Sequence, residues 1–384
     1  MSSAEFIPFS RPDVGEDEAS AVADAIRSGW LTSGPVMRAF EQEFAAYMGG
    51  EVEAIAVNSA TSGLHLALEA VGVGPGDEVI VPTWTFTATA EVVRYLSATP
   101  VIVDIDPVTL NIDTDAIERA ITPRTKAVIP VHFAGLSVDM PRLRRALNGR
   151  PIAIIEDAAH ALPTVGPDGL VGTCSGSDVT VFSFYATKTI TTGEGGMMTT
   201  RNPEIAKRAR EMRLHGIDRD SFDRYTSDRP SWAYDVIAPG FKYNMPDTAA
   251  AMGRVQLARA DIMHKRRQFI AEHYLAQFAD LPLNLPAEAV SQQTHAWHLF
   301  VIRLGIGTVT REDFICRMTE AGVGTSVHFI PLHEQTYWQQ FTPDPASNMP
   351  HAIREAPIAV SLPNFSGMSD SQVERVVKAV RGAL

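Results

Sequence analysis

Short apolar runs alternate with segments of helical spacing over the first half of the chain. The runs have the length and composition of β-strands. They are AIAV from Ala54, EVIVP from Glu78, VIVD from Val101, KAVIPVHF from Lys126, IAIIED from Ile152 and DVTVFSF from Asp178. Helical patterns such as TSGLHLALEAV and TATAEVVRYLSA lie between them. Continuous apolar strands between helices predict an α/β fold with a mostly parallel sheet that helices cover on both faces.

The pattern changes after Pro246. From Thr248 to Phe278, apolar residues at helical spacing predict one long helix. The segment HAWHLFVIRL, the helical pattern REDFICRMTEAG and a final helix from Asp370 follow it. Because 384 residues are many for one domain, we predict a large α/β domain over residues 1–250 and a smaller C-terminal α+β domain over residues 251–384.

Composition and charge argue against some classes of protein. The chain is 45% hydrophobic and 20% charged, as soluble globular proteins are. Its net charge of -12 argues against a nucleic-acid partner but allows a local basic pocket for an anionic ligand. The first residues do not resemble a signal peptide and no apolar run reaches roughly 18 residues, so we expect a cytoplasmic protein without a membrane partner. Cys174 and Cys316 lie far apart and predict free thiols, not a disulfide or a metal site.

Two motifs lie where strands end and helices begin, which is where sheets of this kind bind ligands. In NSATSG, Asn58 to Gly63, small residues and the free N–H groups of a helix start suit a phosphate. Helix capping by Ser59 or Thr61 explains this stretch equally well. In PTWTFTATA, Trp84 or Phe86 could stack on a planar ring, although a buried core aromatic is the commoner case.

Two further motifs place charged groups at strand ends. In IIEDAAHALP, a buried strand ends in Glu156 and Asp157, and His160 follows. A buried carboxylate needs a cation or a hydrogen-bond donor, while a helix cap by Asp157 is the structural alternative. In SFYATKTITTGEGG, Ser183 and Lys188 end another strand and the glycines permit sharp turns. A lysine that only reaches to solvent is the alternative there.

Together the four motifs match the needs of one cofactor, pyridoxal 5'-phosphate (PLP). Its phosphate takes N–H and hydroxyl donors, its ring takes a stacking face, and its aldehyde takes an amine. Its pyridine nitrogen takes an acidic partner, because a protonated ring accepts electrons from a carbanion at the adjacent carbon. The sequence therefore favours a PLP site built at the strand ends.

The same residues resemble the DegT/DnrJ/EryC1/StrS family of sugar aminotransferases. The resemblance runs nearly end to end through SGWLTSGPVMRAFEQEFAAYMG, VNSATSGLHLALEAVGVGPGDEVIVPTWTFTATA, ITPRTKAVIPVHFAG, IEDAAHA, FSFYATKTITTGEGGM, PGFKYNMPDTAAAMG and SLPNF. It implies a fold type I PLP-dependent transferase like aspartate aminotransferase, with a mostly parallel central sheet and a smaller C-terminal α+β domain.

By that resemblance, Lys188 forms the internal aldimine and Asp157 pairs with the pyridine nitrogen, which makes these two the catalytic residues. His160 occupies the place where many members have Gln, near the ring hydroxyl. Two departures from the usual pattern, Ala60 for Gly and Thr189 for Asn, remove no chemical group that the reaction needs.

The remaining cofactor contacts also follow from the resemblance. It implies that Phe86 stacks on the ring, with Trp84 as the second candidate. It also implies that Ala60, Thr61 and Ser183 hold the phosphate.

The resemblance further implies a homodimer with active sites shared between subunits. The segment GFKYNM would reach the neighbouring subunit's cofactor, where many relatives read GYNYRM. Lys242 occupies the first Asn position of that motif and Asn244 replaces the Arg, so both are predicted to bind the cofactor. A lysine would meet a phosphate as a point charge, whereas an asparagine offers a neutral amide.

The implied function is transfer of an amino group from glutamate, which becomes 2-oxoglutarate, to a nucleotide-linked keto sugar. The pattern resembles members that act on UDP-linked 4-keto sugars. An amino-acid lyase, a sugar dehydratase and a non-catalytic protein on the same scaffold are the alternatives. Lys188 speaks against the dehydratases, because the resemblance implies a His at this position in them.

Some residues match segments that lie near the sugar nucleotide in the family, but no role is predicted for them. Trp30, Thr32 and Ser33 match a loop that borders the sugar, and a simple turn is the alternative. Three isolated histidines are left outside the catalytic set, because such residues are more often structural. They are His215, His328 and His333.

Overall fold

The structure is a computed structural model that describes residues 5–218, 234–305, 307 and 309–384. Its strands are β1 (Glu53–Val57), β2 (Glu78–Pro82), β3 (Thr99–Val103), β4 (Thr125–Val128), β5 (Ala153–Asp157), β6 (Val165–Gly166), β7 (Gly169–Leu170), β8 (Val179–Ser183), β9 (Gly196–Thr200), β10 (Leu283–Asn284), β11 (Phe300–Leu304) and β12 (Ala359–Leu362). The six strands predicted in the first half of the chain are β1 to β5 and β8.

Helices connect most of these strands. They are α1 (Glu16–Arg27), α2 (Pro35–Tyr47), α3 (Ala60–Ala70), α4 (Ala88–Tyr95), α5 (Thr114–Ala120), α6 (Met140–Leu147), α7 (Pro203–Met212), α8 (Asp247–Ala258), α9 (Ala260–Phe278), α10 (Arg311–Glu320), α11 (Pro345–Asn348), α12 (Pro350–Glu355) and α13 (Asp370–Ala383). Short 3-10 helices lie at Phe133–Gly135, Leu332–Glu334, Trp338–Phe341 and Ala356–Ile358.

The central sheet has seven strands in the order β1-β9-β8-β5-β4-β2-β3. Strands β8, β5, β4, β2 and β3 are parallel, and β9 runs antiparallel to both of its neighbours. Strand β1 therefore points the same way as β8. The carboxyl ends of β1, β2, β5 and β8 consequently lie at one edge of the sheet, and these ends carry the four motifs.

The sequence pattern does not predict β9, because its residues GMMTT follow directly on a glycine-rich turn. In the structure β9 lies between β1 and β8, and Gly196 pairs with Val57 on one side and with Ser183 on the other. The strand thus joins the first motif to the last one.

Helices cover both faces of the central sheet, as the continuous apolar strands predict. Residues alternate between the two faces along each strand. Ile55 and Val57 of β1 join a core cluster with residues of α3, α4 and α7. Ala54 and Ala56 join a second cluster with residues of α2 and α8. The α/β fold class is confirmed.

A separate three-stranded antiparallel sheet, β10-β11-β12, packs with α9, α10 and α13 around its own apolar cluster. The predicted division between residues 250 and 251 stays a prediction. In the part of the chain that the structure describes, no helix combines the length and apolar character that a membrane span requires.

The single long helix predicted after Pro246 is wrong, because α8 and α9 are separate helices. Arg259 lies between them, and its amide donates to the carbonyl of Gln256, three residues earlier, at 3.1 Å. Its guanidinium binds Asp13 at 2.8 Å and Glu18 at 2.5 Å. The apolar spacing continues through this point, so the break depends on tertiary contacts that the spacing does not record.

Candidate active site

The start of α3 supplies free backbone donors at the carboxyl end of β1. Ser59 is the N-cap, and its Oγ accepts the amide of Ser62 at 3.1 Å. The capping alternative is thus realised by Ser59 and not by Thr61. The amides of Ala60 and Thr61 lie in the first turn, where no carbonyl of the helix can accept them. Such amides, at the positive end of a helix, suit an anion.

Gly196 brings the first and the last motif together through close backbone contact. A Cβ at this position would lie 2.7 Å from the Phe182 carbonyl oxygen, 2.8 Å from the Ala60 nitrogen and 2.9 Å from the Ser59 carbonyl carbon. The start of α3 therefore rests directly on β9, beside Ser183. The sequence motif GEGG signals a turn but gives no indication of this approach.

Lys188 follows β8 in a loop that is held by its own backbone. Its amide donates to the carbonyl of Tyr185 at 2.9 Å, and the loop closes where Phe184 and Gly195 pair at 2.8 Å. Lys188 is partly buried. Burial lowers the pKa of its ammonium to about 8, although the nearby charge of Asp157 opposes that shift. At pH 7 roughly a tenth of the amine is then neutral and therefore nucleophilic, a far larger share than at its ordinary pKa.

Asp157 is buried at the end of β5, next to β8. Its carboxylate accepts the hydroxyl of Thr89 at 2.8 Å and the amide of Ala159 at 3.1 Å. Burial raises its pKa, while these hydrogen bonds and the charge of Lys188 lower it in part. Asp157 and Lys188 are therefore close enough for each charge to shift the pKa of the other group.

Glu156, the other carboxylate of this motif, lies in a separate network. It accepts from His132 at 2.8 Å, from Thr180 at 2.9 Å and from Ser177. Burial alone would raise its pKa, but the hydrogen bond and charge of His132, with the two hydroxyls, hold it below its ordinary value. Glu156 is thus satisfied within the protein.

His160 is buried, and its Nδ1 accepts the amide of Ala134 at 3.2 Å. The proton of the neutral ring is therefore on Nε2. Burial, with the charges of Lys188 and His328, holds the pKa of His160 well below its ordinary value. His160 is thus a neutral donor at physiological pH.

Two histidines that the sequence does not assign to the site lie beside His160. The rings of His298 and His160 are 4.4 Å apart between centroids. The side chain of His328 binds the Ser361 hydroxyl at 3.0 Å. Burial and the charge of Lys188 lower the pKa of His328 to about 4, and burial lowers that of His298 well below its ordinary value. The sequence motif HAWHLFVIRL, just before β11, contains His298 but does not show that it lies beside His160, and the family match of His328 predicts no role for it.

The two aromatic candidates of the second motif differ in exposure. Phe86 is 59% exposed, and its ring centroid lies 5.9 Å from that of Phe329. Trp84 is buried, and its indole N–H donates to the carbonyl of His328 at 2.9 Å. Phe86 therefore has a free face, while Trp84 matches the core alternative.

Lys242 and Asn244 lie beside the carboxyl end of β1. Asn244 forms a backbone bridge with Val57, and the amide of Asn58 donates to the Tyr243 carbonyl at 2.8 Å. Lys242 is exposed, and its ammonium donates to the side-chain oxygen of Asn244 at 2.5 Å. Their contact with a neighbouring subunit's cofactor stays a prediction.

The residues without a predicted role are divided between surface and interior. His215 is exposed, whereas His333 is buried and binds the Thr83 hydroxyl at 2.8 Å. The indole of Trp30 donates to the carbonyl of Ser33 at 3.1 Å, within the loop before α2. Thr32 belongs to the same loop, and its carbonyl accepts the amide of Asp247 at 3.3 Å.

Comparison with known proteins decides which class of enzyme uses such a site. The model of the DegT/DnrJ/EryC1/StrS aminotransferase family matches residues 12–381. The chain belongs to this family. Members of the DegT/DnrJ/EryC1/StrS family are fold type I transferases that depend on PLP, so the predicted fold class and cofactor are both confirmed.

Individual family members resemble the chain over nearly its full length. The spore coat polysaccharide biosynthesis protein SpsC of Bacillus subtilis is 44% identical over 379 residues, 98% of this chain and 96% of that protein. The PLP form of the putative sugar aminotransferase Spr1654 from Streptococcus pneumoniae has a TM-score of 0.89 at 33% identity, covering 99% of this chain and 100% of that chain. DesV of S. venezuelae, in complex with a ketimine intermediate, has a TM-score of 0.85 at 34% identity, covering 96% and 94%.

The residues present in this member of the family fit PLP. Lys188 offers an amine whose pKa burial has already lowered, and Asp157 offers a buried carboxyl at the neighbouring strand end. The backbone around Gly196 leaves no room for a side chain where the amide of Ala60 meets β9. An amine, an acid and a set of backbone donors thus lie at one edge of the sheet, as the cofactor requires.

Proposed function

We propose that this chain transfers an amino group from glutamate to a nucleotide-linked keto-deoxysugar. The sugar is proposed to carry its ketone at C4 and its nucleotide to be UDP, because GFKYNM resembles members with such substrates. The observation that carries the proposal is the position of Lys188, in the loop after β8, beside the buried carboxyl of Asp157 at the end of the neighbouring strand β5, with each group within range of the other's charge. Perturbed pairs of this kind mark catalytic sites.

Lys188 is proposed to move the proton in both halves of the reaction. When bound, PLP supplies a ring that takes up the electrons released as a proton leaves the carbon that bears the amine. The neutral Nζ of Lys188 accepts that proton from the α-carbon of glutamate. In the second half, Nζ delivers a proton to the sugar carbon that receives the amino group. Its lowered pKa suits both directions.

Asp157 and His160 are proposed to bind two different polar groups of the ring, its nitrogen and its hydroxyl. The carboxylate of Asp157 keeps a proton on the ring nitrogen, and Thr89 orients that carboxylate through its 2.8 Å hydrogen bond. His160 donates from Nε2 to the ring hydroxyl, because its Nδ1 already accepts the amide of Ala134. Both groups thus stabilise one orientation of the ring.

The remaining residues are proposed to bind the other parts of the cofactor. Phe86 covers one face of the ring. The phosphate accepts from the backbone of Ala60 and Thr61, from the hydroxyl of Ser183, and from the neighbouring subunit through the side chains at positions 242 and 244. We propose that the active form is a homodimer for this reason, and we also propose that the enzyme is cytoplasmic.

A substrate screen tests the proposal. Purified protein is incubated with glutamate and UDP-, dTDP- or GDP-linked sugars with a ketone at C3 or C4, and aminated products are detected by mass. We expect an aminated UDP-linked 4-keto sugar and an equal amount of 2-oxoglutarate. Lys188→Ala should abolish both products, whereas Lys207→Ala, at an exposed lysine of α7, should change neither. Loss of water or cleavage of an amino acid without 2-oxoglutarate would favour the dehydratase or lyase alternative.

A further inference from the structure

A chain of side-chain hydrogen bonds joins the loop before α2 to the segment before α8. The hydroxyl of Ser33, which is buried, donates to the carbonyl of Met245 at 2.7 Å. The amide nitrogen of Asn244 donates to the same hydroxyl oxygen at 2.7 Å. The ammonium of Lys242 in turn donates to the amide oxygen of Asn244 at 2.5 Å.

The direction of every bond in this chain is fixed by chemistry. A carbonyl oxygen only accepts, so the single proton of the Ser33 hydroxyl is used on Met245. Ser33 must therefore accept from Asn244, which turns the amide nitrogen toward Ser33. An ammonium only donates, so the amide oxygen must face Lys242. The orientation of the Asn244 amide is thus determined from both sides.

The backbone that carries Ser33 is itself anchored. Asp247 is fully buried, and its carboxylate accepts the amides of Gly34 at 2.7 Å, Met37 at 3.0 Å and Val36 at 3.1 Å. These are the amides of the N-cap, Gly34, and of the first turn of α2, which a carboxylate satisfies well. Residues 33–37 and 242–247 therefore hold each other in a fixed register at the start of both helices.

We propose that Ser33 is a positioning residue that presents Lys242 and Asn244 together to the phosphate of the cofactor. The amide nitrogen carries two N–H groups, and Ser33 takes one of them. The second N–H and the Lys242 ammonium then offer two donors to one anion. Because a lysine side chain is long and flexible, its fixed contact with the amide oxygen reduces the entropy lost on binding. This inference rests on the proposed function of residues 242 and 244.

The decisive measurement compares a ligand that carries the phosphate with one that lacks it. Apoprotein of the wild type and of Ser33→Ala is titrated with PLP and, separately, with pyridoxal. We expect Ser33→Ala to raise the Kd of PLP about tenfold, as the loss of an ordered charge-assisted contact implies. The Kd of pyridoxal should stay within about twofold, because it has no phosphate for these donors. Ser33→Thr keeps the hydroxyl and should restore the affinity for PLP.

A matched control removes an equivalent hydroxyl elsewhere. Thr200 is buried at the opposite edge of the sheet, where its hydroxyl donates to the Asp178 carbonyl at 2.6 Å and accepts the amide of Asn202 at 3.1 Å. Thr200→Val should leave the affinities for both ligands unchanged, whatever its effect on Tm. If Ser33→Ala raises the Kd of PLP and the Kd of pyridoxal by the same factor, or raises neither, the proposal is overturned.

A second variant keeps the test decisive if Ser33→Ala does not fold. Asn244→Asp keeps the shape of the side chain and the oxygen that faces Lys242. It replaces the amide nitrogen, which is the hydrogen-bond donor, with a second oxygen and adds a negative charge. We expect a loss of PLP affinity greater than tenfold, with pyridoxal little affected. An unchanged Kd for PLP would overturn the role of this amide. Wild-type protein that binds neither ligand would instead contradict the proposed function itself.

Discussion

Burial shifts the pKa values of Lys188 and Asp157 in opposite directions, each toward the neutral form of the group. The pKa of Lys188 falls to about 8, and that of Asp157 rises. Their mutual attraction acts against both shifts but does not cancel them. The site therefore holds an amine that can react near neutral pH beside a carboxyl whose charge is opposed by burial and supported by its hydrogen bonds.

Thr89 gives the clearest test of how the acid is tuned. Its hydrogen bond favours the ionised form of Asp157 and so lowers the pKa of that carboxyl. Thr89→Val removes the hydroxyl, so the pKa of Asp157 should rise and the carboxyl should lose its charge at higher pH. Because the ionised form of Asp157 is the proposed active form, the acid limb of the profile of kcat/KM against pH should move to higher pH. We expect kcat/KM on that limb to fall about tenfold.

The control for this prediction is Thr89→Ser, which keeps the hydroxyl. Its profile of kcat/KM against pH should coincide with that of the wild type. A Thr89→Val profile that also coincides with the wild type would show that the hydroxyl does not tune the acid.

Residues at strand ends could be predicted from sequence, while their neighbours from the C-terminal part could not. Asp157 ends one apolar run and Lys188 follows closely after another, and in a mostly parallel sheet such ends meet at one edge. His298 and His328 approach the same place only because distant segments pack there. An isolated histidine in a sequence carries no sign of that packing.

At the scale of elements, the antiparallel strand β9 builds the phosphate end of the site. It separates β1 from β8, yet it joins them through Gly196, which pairs with the last residue of each. The start of α3 then lies against this strand instead of against a loop. The hydrophobic pattern of the sequence predicts β1 and β8 but not β9 between them, because GMMTT is short and follows a turn.

Gly196→Ala should disrupt the packing of the start of α3 against β9. The added Cβ would meet three backbone atoms at 2.7 to 2.9 Å, and no flexible side chain can move aside. We expect the free energy of unfolding of the apoprotein to fall by about 2 kcal/mol, and the affinity for PLP to fall as Ala60 is displaced. Urea unfolding and PLP titration measure the two effects.

Gly382→Ala is the matched control, because a Cβ at that position of α13 meets no atom within 4 Å. It should be neutral or slightly stabilising, since alanine favours helix. If Gly196→Ala behaves like Gly382→Ala in both measurements, α3 does not rest on β9 as described.

At the scale of the whole molecule, two exposed side chains near the site are ones that the proposed second subunit would cover. Phe86 is 59% exposed and Lys242 is exposed, although both are predicted to touch the cofactor. The sequence resemblance supplies the explanation, since it implies that a second subunit covers this surface. The sheet edge and its motifs could be predicted from one chain, whereas an assembly depends on surface complementarity that periodicity does not record.

Paired variants test the proposed exchange of residues between subunits. Lys188→Ala and Lys242→Glu are co-expressed with different tags, and the mixed dimer is isolated. If Lys242 acts on the neighbour's site, one of the two sites in the mixed dimer has both lysines. We expect about half of the wild-type rate per dimer, although each parent is nearly inactive.

A mixed dimer of Lys188→Ala with the wild type provides the reference for one working site. If the doubly substituted dimer is as inactive as its parents while this reference has half activity, Lys242 acts within its own subunit. If no mixed dimer forms at all, the proposed homodimer is wrong.

The central claim is that Lys188 is the residue to which PLP binds covalently, and chemical trapping tests it most directly. The protein is incubated with PLP, reduced with borohydride, digested, and its peptides are analysed by mass. We predict one modified peptide, with the phosphopyridoxyl group on Lys188, and none after Lys188→Ala. Modification of a different lysine in the wild type, or no modification at all, would contradict the account.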